Sequence, residues 1–134
     1  MSGGRRFTVE EAQALLDERV RDMAERMVAD RAASRDLESR WNAIVITIGS
    51  NGGDLRRAEV AALREEVQAA HAALRGLLAE LDELGVQVKD MDRGLLDFPA
   101  EVEGQDALLC WQVGEPRIAF WHRPEDGFAG RRPL

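Results

Sequence analysis

Residues Val60–Lys89, VAALREEVQAAHAALRGLLAELDELGVQVK, carry the change of period on which the fold turns. Up to Leu84 the apolar positions Val60, Leu63, Val67, Ala70, Leu74, Leu77, Leu81 and Leu84 alternate three and four apart, the seam of a helix packed along one partner. At Gly85 the period changes to two: Val86 and Val88 alternate with Gln87 and Lys89, a strand pattern. Glycine just past the last seam residue is a helix stop. A long helix therefore feeds directly into a β-segment.

Upstream, Thr8 and Glu11 form a capping-box pattern with Phe7 placed for a hydrophobic staple, so a first helix starts near Val9. A 4-3 seam follows through Leu16, Val20, Met23, Met27, Asp30, Ser34, Leu37, Trp41, Ile44 and Ile48, apolar except at Asp30 and Ser34. Gly49-Ser-Asn-Gly-Gly53 breaks it, and Asp54 suits an N-cap. These signals predict helices over about 9–49 and 54–84, packed as a long antiparallel, coiled-coil-like hairpin. Residues 1–6 read as a disordered tail.

Downstream, Asp90–Gly94 reads as a turn, Leu95–Pro99 as extended, Glu103-Gly-Gln-Asp106 as a hairpin signal, and Ala107–Val113 and Arg117–His122 as strands around Gly114-Glu-Pro116. The tail from Gly127 reads as irregular. The expected class is α+β: the hairpin of residues 7–84, then a small antiparallel β-module of three or four short strands over 85–134, packed on the open end of the hairpin.

A net charge of −7 argues against sequence-independent nucleic-acid binding, which needs a basic footprint, and against adsorption to anionic lipid. No apolar run reaches a membrane span. The start has no apolar stretch that would make a secretion signal. The single cysteine, Cys110, excludes an intrachain disulfide and fits a reducing compartment. A cytoplasmic protein is expected. Lys89 is the one lysine among 18 basic residues; we read the arginine excess as compositional bias.

Chemistry concentrates in the β-module. His122, Asp97 and Glu115 are the candidate catalytic residues, with His122 as base or ligand. His122, Asp97 and Cys110 are the candidate metal ligands, with Glu115 and Asp126 as further carboxylates. Their spacing matches no ligand motif, so no cofactor is expected and a metal ion is the alternative. Cys110, in an apolar run, reads as a small buried hydrophobe rather than a nucleophile. Phe98, Trp111, Trp121 and Arg131 are the candidate binding residues. The plainer reading makes those aromatics the core of the sheet, with Phe120 and Trp121 on opposite faces.

The order Phe7-Thr-Val-Glu-Glu-Ala12, Asn51-Gly-Gly53, Gly85-Val-Gln-Val-Lys-Asp90, Arg93-Gly-Leu-Leu-Asp-Phe-Pro99, Leu109-Cys-Trp111, Gly114-Glu-Pro116, Phe120-Trp-His122 and Gly127-Phe-Ala-Gly-Arg131 resembles the bacterial family of unknown function DUF2203. The resemblance covers nearly the whole chain and implies no activity. The leading expectation is a non-catalytic interaction module. The hairpin would form a homodimer or other homo-oligomer, or take a partner helix, with neither nucleic acid nor membrane as partner. The alternative is a small-ligand or metal-dependent enzyme. It requires His122, Asp97 and Glu115 to converge on one cleft.

Overall fold

The computed structural model describes residues 4–51 and 57–134, with side chains described through residue 46 of the first hairpin arm. The expected break at Gly49–Gly53 is corrected in its first part, since the first arm stays helical through Asn51; Gly52, Gly53 and the expected Asp54 cap lie outside the described residues.

The first arm opens as α1 (Val9–Leu15) and continues through one π-helical turn, Leu16–Val20, into α2 (Arg21–Asn51). The Thr8/Glu11 capping box is formed in both directions. In the π turn the Arg21 N–H donates to the Leu16 carbonyl five residues back. The second arm is α3 (Arg57–Glu83). Leu63, Leu74, Leu77 and Leu81 of its seam are buried. The two polar seam positions of the first arm differ. Ser34 is buried and its hydroxyl has no hydrogen-bond partner, whereas Asp30 is only half-buried. One turn on, Glu38 meets His71 of α3 at 2.6 Å.

The sheet is a five-stranded antiparallel meander of β1 (Gln87–Asp90), β2 (Leu95–Val102), β3 (Gln105–Gln112), β4 (Phe120–His122) and β5 (Arg132–Pro133) in that spatial order. The expected count of three or four strands is thus low by β5. Two residues containing a proline give no period, and pairing with Phe120 and Trp121 is what makes β5 a strand. The β2–β3 turn has Glu103 and Gly104 both at positive φ, the type I′ geometry that matches strand twist.

Residues 4–6, expected to fray, run beside the sheet. The Phe7 N–H donates to the Pro99 carbonyl, Arg6 pairs with Glu101 and Asp106, and Arg5 stacks on the Phe7 ring.

Register sorts the sheet into two faces. Leu96 pairs with Trp111, Phe98 with Leu109, Ala100 with Ala107, and Leu109 with Trp121, so these share one face. That face packs on Ala12, Leu16, Val20, Met23 and Met27 from the first arm and Leu74, Leu77 and Leu81 from α3, in one continuous core. Phe7 meets Phe98 edge-on at 5.4 Å. The other face carries Leu95, Asp97, Leu108, Cys110, Phe120 and His122, and the segment after β4 folds over it.

Three expected binding residues are therefore corrected. Phe98, Trp111 and Trp121 are core side chains, all at most 7 % exposed. A five-stranded sheet this small has too little aliphatic volume to pack on a hairpin without them. Phe120 and Trp121 do lie on opposite faces, as alternation requires.

Candidate functional site

Asp97, Cys110 and His122 come together on the sheet face turned away from the helices. Asp97 and Cys110 are register partners on β2 and β3; His122 on β4 pairs with Leu108, one side-chain repeat from Cys110. Three adjacent strands thus present an oxygen, a sulfur and a nitrogen, and these atoms all lie within 4.8 Å of one another. All three residues are buried, with 1 %, 0 % and 3 % exposure. Among the described residues this is the one cluster of metal-ligating side chains that converges so closely.

The hydrogen bonds fix the chemistry of the histidine. His122 Nδ1 is 2.8 Å from the Arg123 carbonyl oxygen. A carbonyl can only accept, so Nδ1 carries a proton and a neutral ring has its lone pair on Nε2. Nε2 lies 3.1 Å from Asp97 Oδ2, which is also an acceptor when ionised. Two lone pairs at that distance require a positive charge between them, either a proton or a metal ion. A histidine whose second ring nitrogen is anchored to a backbone carbonyl is the arrangement that aims Nε2 at a metal. Asp97 Oδ1 is buried with no hydrogen-bond partner of ordinary geometry, and the Cys110 thiol beside the carboxylate is the donor that interacts with it.

Cys110 is no free nucleophile here. Burial pushes its thiol up to about 12; the Asp97 charge adds to the rise and the Arg131 guanidinium opposes it. His122 Nε2 faces Asp97, so no imidazole lone pair is committed to drawing the thiol proton.

A cleft of about 140 Å³ opens onto the three side chains, lined also by Lys89, Leu95, Pro124, Asp126, Gly127 and Phe128. Lys89 reaches in from β1 with Nζ 4.0 Å from Asp97 Oδ2 and its side chain 43 % exposed. Asp126 and Phe128 belong to the covering segment. Phe128 is held by two stacked guanidinium groups, Arg93 at 4.6 Å and Arg131 at 4.5 Å.

Glu115 does not join the site. It accepts the Gln112 N–H and is gripped by Arg131 at 2.8 Å through both oxygens. Arg131 also reaches the Cys110 carbonyl and lies 4.1 Å from the Phe120 ring, which ties the C-terminal segment to β3 and β4. Both residues therefore act on the site by positioning its cover, not by entering the cleft, and the expected convergence of Glu115 with His122 and Asp97 is corrected. The short loop after β3 explains the difference: Glu115 bonds back to its own strand, and its carbonyl takes the Trp111 indole N–H. Lys89 is the cleft residue that reading the sequence left unassigned. Only its place in the β1 alternation, on the side of Gln87 and hence of Asp97, pointed to it.

These features define a small α+β protein in which a helical hairpin backs an antiparallel meander and a buried Asp–Cys–His cluster occupies the free face. The chain belongs to the DUF2203 family, described as an uncharacterized conserved protein, whose family model matches residues 5–134. No curated protein and no solved structure matches it.

Proposed function

We propose that the chain is a metal-dependent small-ligand protein whose centre is Asp97, Cys110 and His122. The observation that supports this most is the His122 ring, with Nδ1 on a carbonyl and Nε2 facing a buried carboxylate beside a buried thiol. One sulfur, one imidazole nitrogen and one carboxylate oxygen suit a borderline divalent ion of the zinc class and do not suit magnesium or calcium. A dication would neutralise the thiolate and the carboxylate together and give a partner to the Asp97 oxygen that lacks an ordinary hydrogen bond. It would also offset the burial that keeps the thiol protonated, so loading releases the Cys110 proton. Three protein ligands leave a tetrahedral ion one open position, and the 140 Å³ cleft supplies the space beside it. At such a position an ion polarises a bound oxygen.

Metal analysis of the purified protein tests the reading. Stoichiometric zinc, iron or cobalt in the wild type, lost in Cys110→Ser and in His122→Gln, supports it. Wild-type protein that stays metal-free after exchange against excess zinc would overturn it and leave the trio as a charge-assisted His–Asp pair beside a core thiol.

A second reading concerns the hairpin. On α2 beyond Ser34 no described side chain is buried: the seam residues Leu37, Trp41 and Ile44 are half-buried, and Val45 is 46 % exposed. This favours self-association of two copies along the distal hairpin, in keeping with an interaction role.

A further inference from the structure

We infer that the open position of the proposed Asp97–Cys110–His122 centre binds a small oxyanion, a carboxylate or a phosphate, with Lys89 as its second anchor. This rests on the metal-site reading and goes beyond it by naming the ligand class.

The charges at the cleft carry the inference. Lys89 is the only lysine of a chain with net charge −7, and its ammonium lies at the mouth of the cleft. Its nearest carboxylate oxygen is Asp97 Oδ2, at the long distance of 4.0 Å. Once a dication takes the charge of Asp97, the ammonium has lost its counter-ion. It then stands next to a cation with an empty coordination position. Two adjacent positive centres with a gap between them are complementary to one bridging oxyanion, which a single water molecule does not neutralise.

A larger groove of about 430 Å³ shares Lys89 and Pro124 with the cleft and is lined by Arg5, Arg6, Gln87 and Asp106, with Arg6 already paired to Asp106 and Glu101. The body of a ligand anchored at Lys89 lies along it. Asp126 faces the cleft from the covering segment and disfavours a second negative charge there. The ligand is therefore an oxyanion toward Lys89 and a neutral hydrogen-bond donor toward Asp126. Phe128, pinned by Arg93 and Arg131, closes the apolar side.

Cobalt(II) loading separates this inference from the reading beneath it. A thiolate-to-cobalt absorption band in the near ultraviolet reports the centre itself. Inorganic phosphate and acetate are then titrated in turn, and the visible cobalt bands report whether the open position is taken. We expect one of the two to shift those bands saturably, and Lys89→Gln to keep the thiolate band while weakening that anion at least about tenfold. A phosphate response without an acetate response identifies a phosphate-bearing ligand, and the reverse a carboxylate. As a readout independent of the metal spectrum, ¹³C-dimethylated Lys89 gives one side-chain NMR signal. That signal moves with the same anion in loaded protein and not in metal-free protein. A normal thiolate band with no response to either anion would overturn the anion site and leave the metal centre standing. Equal binding by Lys89→Gln would remove Lys89 from it. No thiolate band at all would overturn both.

Discussion

At the scale of single residues, the site is a set of polar groups that a folded core ordinarily rejects. Asp97, Cys110 and His122 are as buried as Phe98 and Leu109, yet one carboxylate oxygen has no hydrogen-bond partner of ordinary geometry. Their residue types were legible in the sequence; their meeting was not. They lie far apart along the chain, and only strand register brings them together, whereas Glu115 was drawn away by an arginine sixteen residues on that no spacing rule connects to it. The thiol makes a prediction for metal-free protein. Burial raises it from 9.0 to about 12, so between those values the folded state holds a proton that the unfolded state has lost. Stability contributed by the neutral thiol is complete below pH 9.0 and falls as pH rises toward 12. Urea midpoints taken at about pH 8 and about pH 10 should fall for wild type and fall less for Cys110→Ala. In the native metal-free protein, iodoacetamide should leave Cys110 unmodified at neutral pH, and rapid alkylation would show the thiol to be neither buried nor protonated.

At the scale of elements, local rules reached far. The capping box, the seam of α3 and the β2–β3 turn each follow from a few neighbouring residues, and each forms as its chemistry dictates. What local rules missed was decided by tertiary contact: β5 exists by pairing with β4, and residues 4–6 lie beside the sheet because Arg6 finds two carboxylates there. Two substitutions test the packing. Gly94 has φ +66°, and a Cβ there would collide with Val113 and come within 2.9 Å of the Val28 Cγ2 atom. Gly94→Ala should cost about 2–4 kcal/mol in chemical denaturation, from strain and overpacking together. Ser34 is the opposite case. Its buried hydroxyl has no hydrogen-bond partner, so Ser34→Ala should be neutral or stabilising by up to about 1 kcal/mol. A clear loss of stability would mean that the hydroxyl has a partner such as an ordered water.

At the scale of the whole molecule, the two sheet faces divide the work. One is committed to the hairpin and carries the aromatic core; the other is free, polar at its centre and roofed by a short segment that Arg131 holds down. This division explains why aromatic residues expected to bind a partner pack the interior instead, while the polar trio is left facing a cleft. No helix of the described residues is long and apolar enough to cross a membrane. The thinly covered far half of the hairpin gives a mass prediction. Light scattering at tens of micromolar should read about twice the chain mass of 14.9 kDa, and Trp41→Glu should return it to one; a wild-type reading of one chain mass sinks the self-association reading. The metal centre is tested most directly by X-ray absorption at the zinc edge on zinc-loaded protein. The expected spectrum has one sulfur at about 2.3 Å and a shell of nitrogen and oxygen at about 2.0–2.2 Å, with the sulfur lost in Cys110→Ser. A spectrum showing oxygen and nitrogen alone, unchanged in Cys110→Ser, would contradict the proposed centre.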